Sequence, residues 1–145
     1  MAVRETLQIG NPLLKAQNLQ VTDLNDLRIK QVIEDLVDTM RANGLIGMAA
    51  AQIGENCRVF VTEPKETEVR PKEQSDILRV YINPKIIFTS KEQIEIWEGC
   101  GCVANGTLFA PVIRPKVITI EATDTEGHYE CDHLEGIEFV EKNFT

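Results

Sequence analysis

The stretch His128-Tyr129-Glu130-Cys131-Asp132-His133-Leu134-Glu135-Gly136 decides how this chain is read. Glu130 and His133 are three residues apart, the spacing that puts two side chains on one face of a helix. A carboxylate one turn from an imidazole is the arrangement of a helical metal site, and the stretch reads as the latter part of a His-Glu-x-x-His helix. The position four before His133, where a second helix histidine belongs, is Tyr129. Residues 128–140 are accordingly expected to form a short helix with a strand-like exit at Ile137-Glu138-Phe139-Val140.

Two earlier stretches are expected to meet it. Glu98-Gly99-Cys100-Gly101-Cys102 follows an alternating segment and has glycine on both sides of Cys100, which leaves the thiol accessible. Gly47-Met48-Ala49-Ala50-Ala51-Gln52 is small and apolar up to a glutamine that could face both. Three metal readings stay open. In the catalytic one, Cys100 and His133 ligate an ion and Glu130 takes a proton from a water on it, with His128 or Tyr129 as the third ligand. In the structural one, Cys100, Cys102, Cys131 and His133 close a tetrahedral site. In the third, no metal binds and Glu130 and Asp132 belong to a solvated face.

Outward from these stretches the chain reads as scaffold. Its 145 residues suit one domain over 1–145. Residues 1–24 form an arm with a turn at Asn11-Pro12. Residues 26–43 carry Leu27, Ile29, Val32, Ile33, Leu36, Val37 and Met40 at helical spacing, with Asp23 or Asn25 as cap and Asn43-Gly44 as stop. Strands are expected at 57–62, at 78–88 with a break near Asn83-Pro84, at 92–98, at 112–114 and at 117–123. Residues 63–77 are a charged, proline-bearing surface loop. Asn105-Gly106 and Asp124-Thr125-Glu126-Gly127 are turns. The class is α+β: mainly antiparallel sheets around a metal-bearing helix, plus one N-terminal scaffold helix.

A net charge of −8 and a pI near 4.8 argue against general nucleic-acid binding. No apolar run reaches the roughly 20 residues of a membrane span, and the N-terminus has no apolar secretion segment. A cytoplasmic location is the default, with thiols free or metal-bound rather than paired.

Taken together and in this order, the three stretches resemble the signature of the peptide deformylase family: a Gly-x-Gly-x-Ala-Ala-x-Gln motif, a Glu-Gly-Cys-x-Ser motif and a His-Glu-x-Asp-His motif. Here they stand at Leu45 to Gln52, Glu98 to Cys102 and Tyr129 to His133. Ile9-Gly10-Asn11-Pro12, Tyr81-Ile82-Asn83-Pro84 and Leu134-Glu135-Gly136-Ile137 agree as well. The resemblance implies hydrolysis of the N-formyl group from the methionine of new polypeptides. It implies Cys100 and His133 as ligands of Fe²⁺, for which Zn²⁺ often substitutes, and Glu130 as general acid/base. Gln52 and the Gly101 backbone N–H would stabilise the oxyanion, with Gly47, Glu98 and Gly99 lining the substrate cleft. The partner would be a formyl-methionyl peptide or nascent chain near the ribosome, in a bacterial cytoplasm or an organelle. The runner-up is an inactive relative that binds a peptide N-terminus.

The chain departs from the family pattern at four places. Leu45 replaces the first motif glycine, Cys102 the motif serine, and Gly101 a position where the family often has leucine. Between Gly127 and Glu130 only His128 and Tyr129 remain, where the family has a further strand segment and the first turns of its helix. A degenerate relative, a lost segment and a displaced His128 ligand all account for that gap.

Overall fold

The computed structural model describes residues 2–68, 72 and 75–135, with the side chains of 130–135 excepted. The expected strand-like exit at 137–140 lies outside the described residues, as does part of the 63–77 loop.

Helix α1 runs from Leu27 to Ala42. Asp26 caps it by accepting the Arg28 N–H, and Asn43 ends it with its own amide on the Thr39 carbonyl. Its buried face of Val32, Leu36, Val37 and Met40 packs on Met48, Val59, Val61 and Ile82. Those residues belong to strands β1 (Gly47–Ala49), β2 (Val59–Thr62) and β3 (Arg79–Thr89). Two further strands, β6 (Val117–Thr123) and β7 (Tyr129–Glu135), complete an antiparallel sheet of order β1-β2-β3-β6-β7. Strands β4 (Gln93–Gly99) and β5 (Phe109–Pro115) form a separate two-stranded sheet. The mainly antiparallel α+β class therefore holds.

The sheet's second face is closed by Phe60 and Tyr81, directly opposite in register and stacked at 4.5 Å between ring centres, with Ala49 and Ala122 beside them. The expected break at Asn83-Pro84 is a bulge inside one long strand. Asn83 takes φ 51° there, its side chain accepts the Val21 N–H and donates to the Val21 carbonyl, and the β3–β6 register shifts between Ile82 and Lys85. Proline, which cannot donate to a ladder, sits at the first of the two places where the ladder skips. Strand β5 begins at Phe109, three residues before the expected start.

The largest correction concerns the deciding stretch: residues 129–135 are a strand, not the expected metal-bearing helix. The Asp124–Gly127 turn is the physical reason. Asp124 Oδ1 accepts the N–H groups of Glu126 and His128, Gly127 takes φ 82°, and Asp124 N–H bonds the His128 carbonyl. That turn delivers Tyr129 opposite Thr123, and pairing runs on to Glu135 opposite Val117. A segment this short pays heavily to nucleate a helix, whereas a preformed strand alongside offers a ladder at once. Among the described residues α1 is the one α-helix.

Candidate functional site

The site is built on the loop that joins β4 to β5 and on the turn that follows β1. Ala50–Ile53 is a 3-10 turn ended by Gly54 in the left-handed region at φ 83°. Gln52 on that turn is buried. Its Oε1 accepts the Ala49 N–H at 2.8 Å, which aims its amide nitrogen outward. Nε2 then meets two sulfurs, Cys102 Sγ at 3.4 Å and Cys100 Sγ at 3.8 Å. The two cysteines lie in the turn Cys100–Val103, closed by Val103 N–H on the Cys100 carbonyl at 3.0 Å.

The Cys102 thiol donates to the Cys100 sulfur and holds the Cys100 thiol down to about 6, against half-burial and the nearby Glu98 carboxylate. The same bond, with burial, pushes the Cys102 thiol up. Of the two, Cys100 is therefore the thiolate and Cys102 its donor.

Glu98 does not face the pocket as a free acid. Arg114 clamps it with two hydrogen bonds of 2.7 Å each, which fixes the strand that presents Cys100. Gly99 leaves room for Phe109, whose ring would lie 2.7 Å from an added Cβ. Gly47 is buried in β1, opposite Thr62, at the sheet's edge.

Gln8 and Leu45 are contributors that sequence reasoning did not single out for this role. Leu7 N–H bonds the Gln52 carbonyl and Ile9 N–H the Cys102 carbonyl, both at 2.8 Å. Gln8 Nε2 donates to the Gly101 carbonyl, and its Oε1 accepts the Asn105 N–H. The arm thus stitches the glutamine turn to the cysteine loop. No local signal marks these contacts, because the partners are between 45 (Leu7 to Gln52) and 97 (Gln8 to Asn105) residues away in the chain.

Leu45 and Gly101, two departures from the family pattern, meet in space: a Cβ on Gly101 would stand 3.0 Å from Leu45 Cδ1. The leucine of one position fills the room left by the glycine of the other. Gly101→Leu is expected to cost about 1–3 kcal/mol by overpacking, and Leu45→Gly a similar amount by opening a void. The double variant should recover at least about 1 kcal/mol of the summed loss in urea unfolding. Strict additivity would show that the two positions do not compensate.

His128 and Tyr129 are not brought here, and the side chains of Glu130 and His133 lie outside the described residues. Strand β7 lies at the edge of the sheet opposite β1, four strand spacings or roughly 19 Å away. Glu130 pairs in register with Ala122 and His133 with Thr119, on that far edge. Positions three apart share a face on a helix but not on a strand. His128 is exposed, and its Nδ1 lies 3.2 Å from Asp124 Oδ2 in the hairpin turn; Tyr129 is 62% exposed. Among the described residues no three His, Cys, Asp or Glu side chains gather into a metal-holding group. Of the expected ligands whose side chains are described, only Cys100 stands at the pocket. The tetrahedral four-residue reading finds no support among the described residues, where no such group gathers.

The comparisons with known proteins bear on the whole chain. The family model for polypeptide deformylase matches residues 3–140. A peptide deformylase of Finegoldia magna is 34% identical over 158 residues, covering 98% of this chain and 90% of that protein. Peptide deformylase 2 of a Nostoc strain is 32% identical over 152 residues, covering 94% and 83%. A crystal structure of the Ehrlichia chaffeensis enzyme in complex with actinonin superposes with a TM-score of 0.82 at 29% identity, covering 94% of this chain and 77% of that one. The Finegoldia alignment runs over 158 residues against the 145 of this chain, so the chain lacks at least 13 positions within it. With its arm, its glutamine turn and its cysteine loop all in place within that match, the chain belongs to the polypeptide deformylase family.

Proposed function

We propose that the chain, as a single domain over 1–145, removes the N-formyl group from formyl-methionyl peptides and nascent polypeptides, the activity of its family. The observation that supports this most directly is the convergence of Gln52 Nε2 on the Cys100 sulfur beside the Gly101 backbone. A buried amide donor, preset by its bond to Ala49, needs no reorganisation as negative charge builds on a carbonyl oxygen. Gln52 and the Gly101 N–H are the two groups that would receive that oxyanion. Gly47 is the backbone position read as lining the cleft, while Gly99 gives its room to the Phe109 ring. Glu98 supports the cleft through Arg114 rather than binding substrate itself.

The family is metal-dependent, and the resemblance names iron(II), replaceable by zinc, as the ion. Strand β7 carries the backbone of Glu130 and His133 along the sheet edge opposite β1, so this reading rests on Gln52, Cys100 and the Gly101 N–H. The positions missing relative to the Finegoldia enzyme are read as lying between Gly127 and Glu130, where the chain turns directly from β6 into β7. No helix among the described residues is long and apolar enough to cross a membrane. A cytoplasmic or organellar location close to the ribosome suits a substrate of new chains.

The test is formate release from a formyl-methionyl peptide by protein purified anaerobically with iron(II), with metal per chain measured in parallel. Release by the parent, lost in Cys100→Ala and cut about 10²–10³-fold in Gln52→Ala, is the expected result. No release from folded parent protein would overturn the proposal and leave an inactive, peptide-binding relative.

A further inference from the structure

We propose that Cys100 and Cys102 are a thiol–disulfide pair, closed across Gly101 by exchange with a low-molecular-weight disulfide. Both sulfurs lie within reach of the single nitrogen Gln52 Nε2, at 3.8 and 3.4 Å, and so converge on one point. Their backbone is a turn in which the Cys100 carbonyl accepts the Val103 N–H, placing the cysteines at its first and third positions. Two virtual Cα bonds of about 3.8 Å, folded back in a turn, fall in the roughly 4.4–6.8 Å range that a disulfide requires. Gly101 between them has no side chain to obstruct ring closure and a backbone free to adjust.

The two sulfurs differ in access. Cys102 is 6% exposed and Cys100 half-buried, so Cys100 is the sulfur that an outside reagent meets. Its thiolate attacks the small disulfide, forming a mixed disulfide and releasing one small thiolate. The Cys102 thiolate then attacks the Cys100 sulfur, expels the second small thiolate and closes the ring. The Cys102 proton and one proton from water end on the two small thiolates, so the protein's thiolate and thiol are oxidised to a disulfide as one small disulfide is reduced to two thiols. A ring closed over a single intervening residue is strained, which makes it easy to reduce and suits a reversible device rather than a structural staple. Cys57 is not part of this set: it lies near α1 and Arg28, where burial pushes its thiol up. The proposal rests on the cysteine loop alone; closing the pair takes the Cys100 thiolate out of the site, so it is read by mass rather than by turnover.

Oxidised glutathione is the probe, applied to the full chain as purified, followed by thiol blocking and tryptic mass mapping. Residues 92–116 form one tryptic peptide, since Arg114 precedes Pro115, and it holds Cys100 and Cys102 but neither Cys57 nor Cys131. The expected result is that this peptide becomes lighter by two hydrogens and escapes blocking, and that dithiothreitol restores both thiols. Cys102→Ser should stop at a glutathione adduct on Cys100. A stable glutathione adduct in the parent, full blocking of both thiols, or a bridge to Cys57 or Cys131 would each overturn the proposal.

Discussion

Phe60→Ala is expected to lose about 3–5 kcal/mol of stability and about 10–15 °C of melting temperature. Phe60 and Tyr81 are each 1% exposed and lie face to face, 13° from parallel, across the β2–β3 ladder. Their neighbours on that face, Ala49 and Ala122, are too small to swing into a void. Truncation therefore forfeits the transfer energy of a ring and the stacking with Tyr81, and leaves the cavity open. Against the 5–15 kcal/mol that holds a typical domain, this single change takes a large share. The measurement is urea unfolding followed by circular dichroism, with exposed Leu19→Ala as a control expected to move stability by under about 0.5 kcal/mol. A loss below about 1 kcal/mol for Phe60→Ala would mean that this face of the sheet is not a closed core.

Phe60 was legible as part of a strand, and so was much of the scaffold. The stripe from Leu27 to Met40 is long and regular, and it folds as the helix its period demands. The alternation of Ile94 and Ile96 with Gln93, Glu95 and Trp97 is likewise a strand. These segments carry their own instructions, because one repeated period serves one buried face. Residues 128–140 carry two. Glu130 and His133 have the spacing of a helical metal site, yet the Asp124–Gly127 turn before them has the chemistry of a hairpin, with an aspartate that caps two amides and a glycine at positive φ. With two residues between turn and motif, the turn sets the register and the pairing with β6 decides the structure. The motif was therefore legible as chemistry and illegible as geometry.

The pocket divides in the same way. The sequence placed Gln52 beside Cys100, and the structure brings them within 3.8 Å. What it could not show is how the contact is held. Gln8 reaches Gly101 across 93 residues of chain, and Leu45 fills the space over the same glycine. Each is an ordinary residue in its own neighbourhood, so only tertiary closure reveals its part. Cys102 is similar: read alone it is a small buried hydrophobe, but beside Cys100 it becomes the donor that sets a thiolate.

Gln52→Glu separates the two tasks of that glutamine and is expected to have the largest effect on chemistry. The carboxylate keeps an oxygen for the Ala49 N–H, so the 3-10 turn over Ala50–Ile53 should survive and the circular dichroism spectrum should not change. The donor to the sulfurs is replaced by a negative charge within about 4 Å of both, since Nε2 stands 3.4 and 3.8 Å from them. An anion there disfavours the thiolate, so the Cys100 thiol must rise from about 6. At pH 7 the metal-free parent is mostly thiolate at Cys100, and iodoacetamide should alkylate it on the order of tenfold faster than it alkylates the variant. Formate release should fall about 10²–10³-fold, the loss that follows removal of one oxyanion donor. Gln52→Ala removes the same donor without adding charge, so it should match the loss of turnover while slowing alkylation far less. If both variants alkylate at the parental rate, Gln52 does not touch the Cys100 sulfur in solution. If alkylation slows in Gln52→Glu but turnover in both variants stays within a factor of a few of the parent, the amide tunes the thiol and binds no oxyanion.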